Sequence, residues 1–295
     1  MKATPFKAAA VILLLIVHLQ SFAQAPLPNA FAHNDYSHKH PLFDALQNGY
    51  GNLEADIFLK SNRLIIAHIN PYFKKKDHVL EKLYFEPLMQ HITENGGEVY
   101  RGYNKPVVLM IDIKTEANST YAVLKPLLEK YRSILTTYDN GKVTPGLITV
   151  VLSGHKPYDQ IRKEQNRLAF IDEDLHKVTA ANDTTRNKMF EMASCKYSSL
   201  LNWRGDGKIS DSEHDRLVQY VAAAHSNGER VRLWASPDNK AVWDELLQDG
   251  VDLINTDKLV TLRNFFIARN AKNNLQSNNN SATADGYVKT VEALR

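Results

Sequence analysis

The sequence has a single cysteine, a small net charge and no long apolar run beyond its N-terminal part. Cys195 alone cannot form an internal disulfide, which excludes a disulfide-stapled domain. The formal net charge of +3 is too small to indicate a nucleic-acid partner. The lysine run at 74–76 favours a solvated loop, with transient contact to an anionic membrane surface as the alternative. The composition therefore fits a globular protein, but it does not favour one functional class over another.

The first 25 residues have the pattern of a secretory signal. Lys2 and Lys7 precede an apolar run at 8–17, and the small residues at 23–25 fit a cleavage site. The apolar run is shorter than the roughly 20 residues that a membrane-spanning helix needs. We therefore expect cleavage after Ala25 and an exported mature protein, periplasmic or secreted, without a transmembrane span.

From residue 28 onward, apolar runs alternate with segments of helical periodicity. Strands are predicted at 30–33, 52–59, 107–114, 147–153, 168–172, 197–203, 231–235 and 253–256. Helices are predicted at 41–48, 119–134, 158–164, 185–193, 210–226 and 239–248. A strand followed by a helix, repeated about eight times, is typical of a (β/α)8 TIM barrel of roughly 250 residues. We therefore predict a single α/β domain over residues 26–270.

Three segments fall outside this alternation. Residues 63–69 predict an extra strand at the rim of the barrel, joined to the second strand by a short turn. The aromatic and charged segment 71–105 predicts an insertion over the active-site face. The tail 271–295 is rich in Asn, Ser and Ala, so we expect it to be loosely ordered. Within the barrel, Ser210 and Glu213 form a predicted capping box that starts a helix.

Charged residues interrupt two strands that are otherwise apolar. Glu54 and Asp56 lie on the second strand, and Asp112 and Lys114 on the third. Residues two apart on a strand point to the same face, and ionised carboxylates there are costly unless a cation or hydrogen-bond donors compensate them. Glu54, Asp56 and Asp112 therefore predict an all-oxygen site for one divalent cation, Mg²⁺ or Ca²⁺. The alternative is an Asp112–Lys114 ion pair, with Glu54 held by an arginine.

Two histidines accompany these carboxylates. His33 ends the first strand, and His68 follows the extra rim strand. Cleavage of a phosphodiester needs one group to take a proton from the nucleophile and another to protonate the leaving oxygen, and two histidines suit both tasks. Lys114 would add a fixed positive charge beside the phosphate oxygens. The predicted substrate-binding residues are Asn34, Asn70, Trp203 at the end of the sixth strand, and Trp234; core packing is an equal alternative for each tryptophan.

Taken in order, these residues resemble the PLC-like phosphodiesterase superfamily, which includes glycerophosphodiester phosphodiesterases, phosphatidylinositol-specific phospholipases C and sphingomyelinase-D-type enzymes. The resemblance covers roughly Phe31 to Leu259. It implies a TIM barrel, one divalent cation, and hydrolysis of a glycerophosphodiester or a phospholipid headgroup. The matching positions are His33, Ala45 to Gly49, Glu54 with Asp56, His68, Asp112 with Lys114, Trp234, and Thr256 with Asp257.

The chain also departs from the glycerophosphodiesterase pattern. Asn34 and Asp35 follow the first histidine, where those enzymes usually have Arg-Gly, and Asp112 takes the place of a common glutamate. An aspartate at this position resembles the third metal ligand of the sphingomyelinase-D branch. The opening His-Asn-Asp-Tyr and the segment 83–88 are most similar to the branch grouped with the fungal altered inheritance of mitochondria proteins.

Two other interpretations of the residues stay open. An amidohydrolase-like barrel favours His-x-His on its first strand, whereas 33–35 reads His-Asn-Asp. A non-catalytic barrel that binds lipid or sugar would usually have lost a histidine or a metal carboxylate, and this sequence has kept all of them. The sequence does not choose between water and a substrate hydroxyl as nucleophile. It also leaves the base, the cation, the headgroup and the oligomeric state open.

Overall fold

The computed structural model describes residues 26–71, 77–179 and 188–273. The predicted signal segment 1–25, the lysine run at 74–76, and the tail beyond residue 273 lie outside the described residues. Within the described ranges, no helix combines the length and the apolar character needed to span a bilayer.

Eight parallel strands in chain order form the centre of the molecule, and the first seven pair in succession. The first and last strands also pair, and a bridge between Arg232 and Leu253 joins the seventh to the eighth. The ring is therefore nearly closed, which confirms the predicted single (β/α)8 barrel. The strands are β1 Leu27–Ala32, β2 Tyr50–Lys60, β3 Val107–Ile113, β4 Ile148–Gly154, β5 Ala169–Asp174, β6 Phe190–Lys196, β7 Arg230–Trp234 and β8 Ile254–Thr256.

Helices cover the outside of the ring. Side-chain oxygens of Ser210 and Asn239 accept backbone hydrogen bonds at the starts of the helices Asp211–Ser226 and Lys240–Gln248. The predicted cap at Ser210 is confirmed, but the Glu213 carboxylate accepts from the Ser210 hydroxyl instead of the Ser210 backbone N–H, so the box is only half formed. A π-helical turn, Glu81–Phe85, leads directly into the helix Glu86–Glu94. The helices are α1 Phe43–Gln47, α2 Glu86–Glu94, α3 Ala117–Lys130, α4 Tyr158–Lys163, α5 Tyr197–Leu200, α6 Asp211–Ser226, α7 Lys240–Gln248, and a last helix over 259–273.

Short elements decorate the barrel. The predicted rim strand is confirmed as Arg63–Ile66, which pairs antiparallel with the end of β2. A second, small sheet consists of Thr137–Asp139, Lys142–Thr144 and Asn166–Arg167. Single turns of 3-10 helix occur at Asp35–Ser37, Arg132–Ile134 and Leu175–Lys177. The described part of the 71–105 segment forms the helical connection between β2 and β3, and its placement over the active-site face stays a prediction.

The sixth strand differs from the sequence prediction. The predicted strand 197–203 is wrong, because β6 is Phe190–Lys196 and residues 197–200 form α5. The predicted helix 185–193 is wrong where it overlaps β6, and residues 180–187 lie outside the described part. Met192 and Ala193 are both buried, because a parallel strand of a barrel is covered on both faces and lacks an alternating pattern. Trp203 therefore does not end a barrel strand.

The barrel interior changes from apolar to charged along the strands. Phe31, Val108 and Met110 belong to one buried cluster inside the ring. Since side chains two apart share a face, Asp112 lies on the same face as Met110, one step nearer the carboxyl end of β3. The carboxyl ends of all eight strands meet at one mouth of a barrel. The polar residues are thereby collected at that mouth, above an apolar plug.

Candidate active site

Neighbouring strands bring the three predicted metal ligands together. Asp56 on β2 stands directly opposite Asp112 on β3 in the parallel register. Glu54, Asp56 and Asp112 each offer a carboxylate oxygen, and these oxygens lie within 4.8 Å of one another. Glu54 and Asp56 are only 5% and 1% exposed. The two-residue spacing on β2 and the register between β2 and β3 therefore gather the carboxylates as expected.

The chain's own cations also contact these carboxylates. Lys114 Nζ lies 3.1 Å from Asp56 Oδ2 and 3.2 Å from Asp112 Oδ1. Arg232 on β7 places Nη2 3.1 Å from Glu54 Oε2. Both ion pairs that the sequence offered as the alternative to a metal are thus present. Burial lowers the pKa of Lys114, but the charges of Asp112 and Asp56 outweigh burial and raise it above its usual range.

The carboxylates retain features that fit a divalent cation in addition to these ion pairs. Asp56 Oδ1 is buried and accepts no hydrogen bond from any described residue. Burial raises the pKa of Asp56, Lys114 lowers it, and the charges of Asp112 and Glu54 leave it above its usual value. Gly154 has φ +67°, and a Cβ there would lie 2.3 Å from Asp112 Oδ1. A bare backbone therefore makes room for the carboxylate, and an all-oxygen donor set suits Mg²⁺ or Ca²⁺.

His33 is held between two acidic groups. Its Nδ1 lies 2.8 Å from Asp257 Oδ1, just beyond β8, and its Nε2 lies 3.9 Å from Glu54 Oε2. Burial lowers the pKa of His33, but the hydrogen bond to Asp257 and the charges of Glu54 and Asp257 raise it above the usual value. Asp257 in turn has a lowered pKa, chiefly because of the hydrogen bond to His33. His33 is therefore oriented and biased towards its protonated form.

His68 stands at the open side of the cluster. Its side chain is 66% exposed, and its Nδ1 lies 3.4 Å from Asp56 Oδ2. The hydroxyl of Tyr36 lies 3.2 Å from the same nitrogen and can donate to Asp56 Oδ2 at 2.8 Å or to Asn34 Oδ1 at 2.7 Å. Burial and the charge of Asp56 raise the pKa of Tyr36 well above its usual range, so the hydroxyl remains a donor. Tyr36 was not predicted as a site residue.

A cavity of about 650 Å³ opens above these groups. Its lining shows which of the predicted substrate-binding residues lie beside it. Asn34 and Trp234 line it, and Trp234 is 40% exposed. Asn70 is exposed and Trp203 donates its indole N–H to Asp206 O, and neither lines the cavity. The predicted place of Trp203 at the end of the sixth strand is wrong, since that strand ends at Lys196, and its role in substrate binding stays a prediction. Asn70 lies beyond the rim strand, and its role in substrate binding stays a prediction.

Sequence reasoning also missed residues that line the cavity from β4 to β7. They include Ser153, Lys156, Asp172, Ser194, Lys196 and Arg232. All lie at or near the carboxyl ends of their strands, so the barrel rule alone could have nominated them once the strand ends were known. Asp172 is buried, and burial raises its pKa to about 6 although Arg232 and Lys156 oppose that shift.

Comparisons with known proteins agree with this geometry. Residues 22–172 match the AIM6-like phosphodiesterase domain, and residues 230–259 match the glycerophosphoryl diester phosphodiesterase family. Altered inheritance of mitochondria protein 6 of Eremothecium gossypii is 32% identical over 274 residues, which cover 81% of this chain and 69% of the relative. The Kluyveromyces lactis protein of the same name is 26% identical over 307 residues, covering 81% and 72%. The Arthroderma benhamiae homolog is 26% identical over 274 residues, covering 82% and 84%.

The matches extend over both halves of the barrel. The first family match includes β1 to β4 with the carboxylates and both histidines, and the second includes β7 and β8 with Arg232 and Asp257. The suspected relationship to PLC-like phosphodiesterases, and to the altered inheritance of mitochondria branch in particular, is confirmed. Since the first match spans half of the chain and a relative above 30% identity aligns with most of it, this chain belongs to the AIM6-like phosphodiesterase family.

Proposed function

We propose that this protein is a divalent-cation-dependent phosphoric diester hydrolase that acts on a glycerophosphodiester or a phospholipid headgroup. The observation that carries the proposal is the convergence of Glu54, Asp56 and Asp112, with a histidine at each of two carboxylates. His33 approaches Glu54, and His68 approaches Asp56. Two imidazoles on different members of one cluster can serve the two ends of an in-line displacement.

Glu54, Asp56 and Asp112 would hold the cation, and a bound cation would neutralise charge on a phosphate oxygen. His33 acts as the proton donor to the leaving oxygen, because Asp257 stabilises its protonated form. His68 is open to solvent and takes the proton from the nucleophile. This assignment of the two histidines follows from their different partners.

Lys114 and Asn34 bind and orient the phosphoryl group. Lys114 Nζ already lies against two carboxylates at the floor of the cavity, where its charge faces the space for the substrate. Asn34 is fixed in a left-handed backbone conformation, with φ 46°, and its amide nitrogen lies 3.1 Å from His33 Nδ1. A fixed charge and a fixed dipole of this kind stabilise charge that develops in the transition state.

Hydrolysis of bis(p-nitrophenyl) phosphate tests this function. We expect turnover with Mg²⁺ or Ca²⁺, loss with EDTA, and a reduction of at least about a hundredfold in His33→Ala, because acid–base groups contribute about 10²–10⁴-fold. His40→Ala is the matched control, since His40 is exposed and pairs with Asp44 outside the cavity. Turnover that survives EDTA would remove the cation from the proposal. Absence of turnover on this substrate and on a panel of glycerophosphodiesters would favour a non-catalytic barrel.

We also propose that the chain is exported after cleavage behind Ala25, on the pattern of its first 25 residues. We expect the intact mass of protein recovered from the periplasm or the medium to match a chain that starts at Pro26. An uncleaved N-terminus in that fraction, or retention in the cytoplasm, would contradict export.

A further inference from the structure

Arg232 occupies the barrel interior directly below the carboxylate cluster and is fixed on every side. Its Nε donates to Asn255 Oδ1 at 2.9 Å, its Nη1 lies 2.8 Å from Met110 Sδ, and its guanidinium stacks 4.0 Å from the ring of Phe31. Its remaining nitrogen, Nη2, donates to Glu54 Oε2 at 3.1 Å. Arg232 is only 3% exposed, although it belongs to the lining of the cavity, so its guanidinium is largely withdrawn from solvent.

This arrangement divides the two oxygens of Glu54 between different tasks. Oε2 is held by Arg232 and faces His33 Nε2, whereas no described residue donates a hydrogen bond to Oε1. Asp56 has the same division, since Oδ2 contacts Tyr36 and Lys114 while Oδ1 is buried without a hydrogen bond among the described residues. Each of these two carboxylates therefore offers a single oxygen to a cation.

We infer that Arg232 is a positioning residue that restricts Glu54 to one ligand oxygen and thereby gives the cation site its preference for Mg²⁺ over Ca²⁺. The inference rests on the cation site of the proposed function and goes beyond it by naming the residue that selects the ion. Mg²⁺ requires six nearly octahedral ligands, keeps several waters, and uses few carboxylate oxygens. Ca²⁺ accepts six to eight ligands and readily takes both oxygens of one carboxylate. Withholding Oε2 therefore disfavours Ca²⁺ specifically.

The burial of the ion pair makes this restriction strong. Breaking a buried arginine–carboxylate pair leaves one charge without a partner, so Glu54 cannot release Arg232 at low cost when a cation arrives. The hydrogen bond to Asn255 and the stacking on Phe31 keep the guanidinium aimed at Oε2. Groups behind metal ligands commonly change metal affinity about 10–100-fold when they are removed.

Titration calorimetry of the mature protein with MgCl₂ and with CaCl₂ tests the inference, and the ratio of the two Kd values is the readout. We expect wild type to bind Mg²⁺ more tightly, and we expect Arg232→Met to shift the ratio towards Ca²⁺ by about tenfold or more. Arg230→Met is the matched control, because Arg230 lies on the same strand but contacts Asn52 and Glu191 instead. Its ratio should stay within twofold of wild type.

A second variant keeps the inference testable if Arg232→Met does not fold. Asn255→Ala keeps the charge of Arg232 and removes the acceptor of its Nε, so we expect a smaller shift in the same direction. A Kd ratio that stays within twofold of wild type in every folded variant overturns the inference and leaves the proposed function intact. Failure of wild type to bind either cation overturns the cation site of the proposed function as well. General loss of packing would weaken both ions alike and leave the ratio unchanged.

Discussion

At the scale of single residues, the hydroxyl of Tyr36 connects groups that belong to different parts of the site. It lies within hydrogen-bond distance of the predicted ligand Asp56, of Asn34 and of the exposed His68. This role could not be predicted from the sequence, because the His-Asn-Asp-Tyr opening indicates a family branch but not which groups the tyrosine hydroxyl contacts. Only the fold brings the rim strand, and with it His68, beside the first loop.

Removal of this hydroxyl should impair catalysis more than stability. We expect Tyr36→Phe to lower kcat on a phosphodiester about tenfold or more, because His68 and Asp56 lose a shared partner. Unfolding in urea should change by only about 1 kcal/mol, the usual contribution of one hydrogen bond. Tyr131→Phe is the matched control, since it removes a hydroxyl that donates to Glu81 on the outside of the barrel. Equal activity of the two variants would contradict this role of Tyr36.

Asp35 gives the fold a pH dependence that can be measured. It is fully buried, and its Oδ2 accepts from the backbone N–H of Leu42 at 2.6 Å and from Tyr84 Oη at 2.8 Å. Burial raises the pKa of Asp35 from 3.8 to about 6. Since the folded state then binds the proton more tightly than the unfolded state, this group's stabilising contribution is lost as pH rises from about 4 to 6.

The variant Asp35→Asn cannot titrate at this position, so its stability should not fall in this way as the pH rises. At about 1.4 kcal/mol for each pKa unit, and because part of the contribution is already lost at pH 4, we expect the unfolding free energy of this variant relative to wild type to rise by about 2.4 kcal/mol between pH 4 and pH 7. Urea denaturation at both pH values measures the difference. Asp159→Asn is the control, because Asp159 is exposed on α4. A constant difference across this range would show that Asp35 titrates near its ordinary value.

At the scale of elements, β2 and β3 were predictable and β6 was not. The carboxylates of β2 and β3 stand out because each strand is otherwise apolar, so spacing alone placed them on one face. The residues of β6 include Glu191, Met192 and Lys196, which have good helical propensity, and only burial in the ring overrides that preference. Arg232 was equally hidden, because its partner Glu54 is 178 positions away in the chain. Contacts across the barrel depend on closure, which no local pattern records.

The start of α6, in contrast, could be predicted from neighbouring residues alone. Ser210 Oγ accepts from the N–H of Glu213 at 3.3 Å, and Glu213 Oε1 accepts from the N–H groups of Asn202 and Trp203. We expect Ser210→Ala to lower the unfolding free energy by about 1 kcal/mol, because the helix loses its cap. Asp215→Ala, exposed in the same helix, should change it by only a few tenths of a kcal/mol. A stability difference between the two variants near zero in urea denaturation would mean that the cap contributes little.

At the scale of the whole molecule, the site links the stability of the barrel to ligand binding. Its carboxylates come from β2 and β3 and its cations from β7 and the end of β3, so the charged cluster joins opposite sides of the ring. Repulsion between the neighbouring carboxylates is expected to lower the free energy of unfolding, as is common for groups that an active site needs. A bound cation should recover part of that stability, since it binds only the folded arrangement.

Thermal unfolding with and without cation measures this linkage. At a hundredfold excess of Mg²⁺ over its Kd we expect a gain of about 2.7 kcal/mol, which corresponds to a rise of about 5–10 °C in Tm for a domain of this size. Asp56→Asn should abolish the rise. In EDTA at pH 7 the same variant should unfold at a higher temperature than wild type, because burial and the charges of Asp112 and Glu54 disfavour the ionised carboxylate more than Lys114 favours it. The amide oxygen introduced by this substitution could still accept from Tyr36 and Lys114.

A second group of ligand atoms requires a control. His214, Glu245 and Asp249 also offer ligand atoms within 4.8 Å of one another, on α6 and at the end of α7, and none of them lines the cavity. If the carboxylates of the mouth bind the cation, His214→Ala should keep the full rise in Tm that Asp56→Asn loses. The opposite result, with the rise lost in His214→Ala and kept in Asp56→Asn, would place the stabilising cation on the outer helices. The mouth would then be left with ion pairs alone, because Lys114 and Arg232 already contact all three carboxylates there.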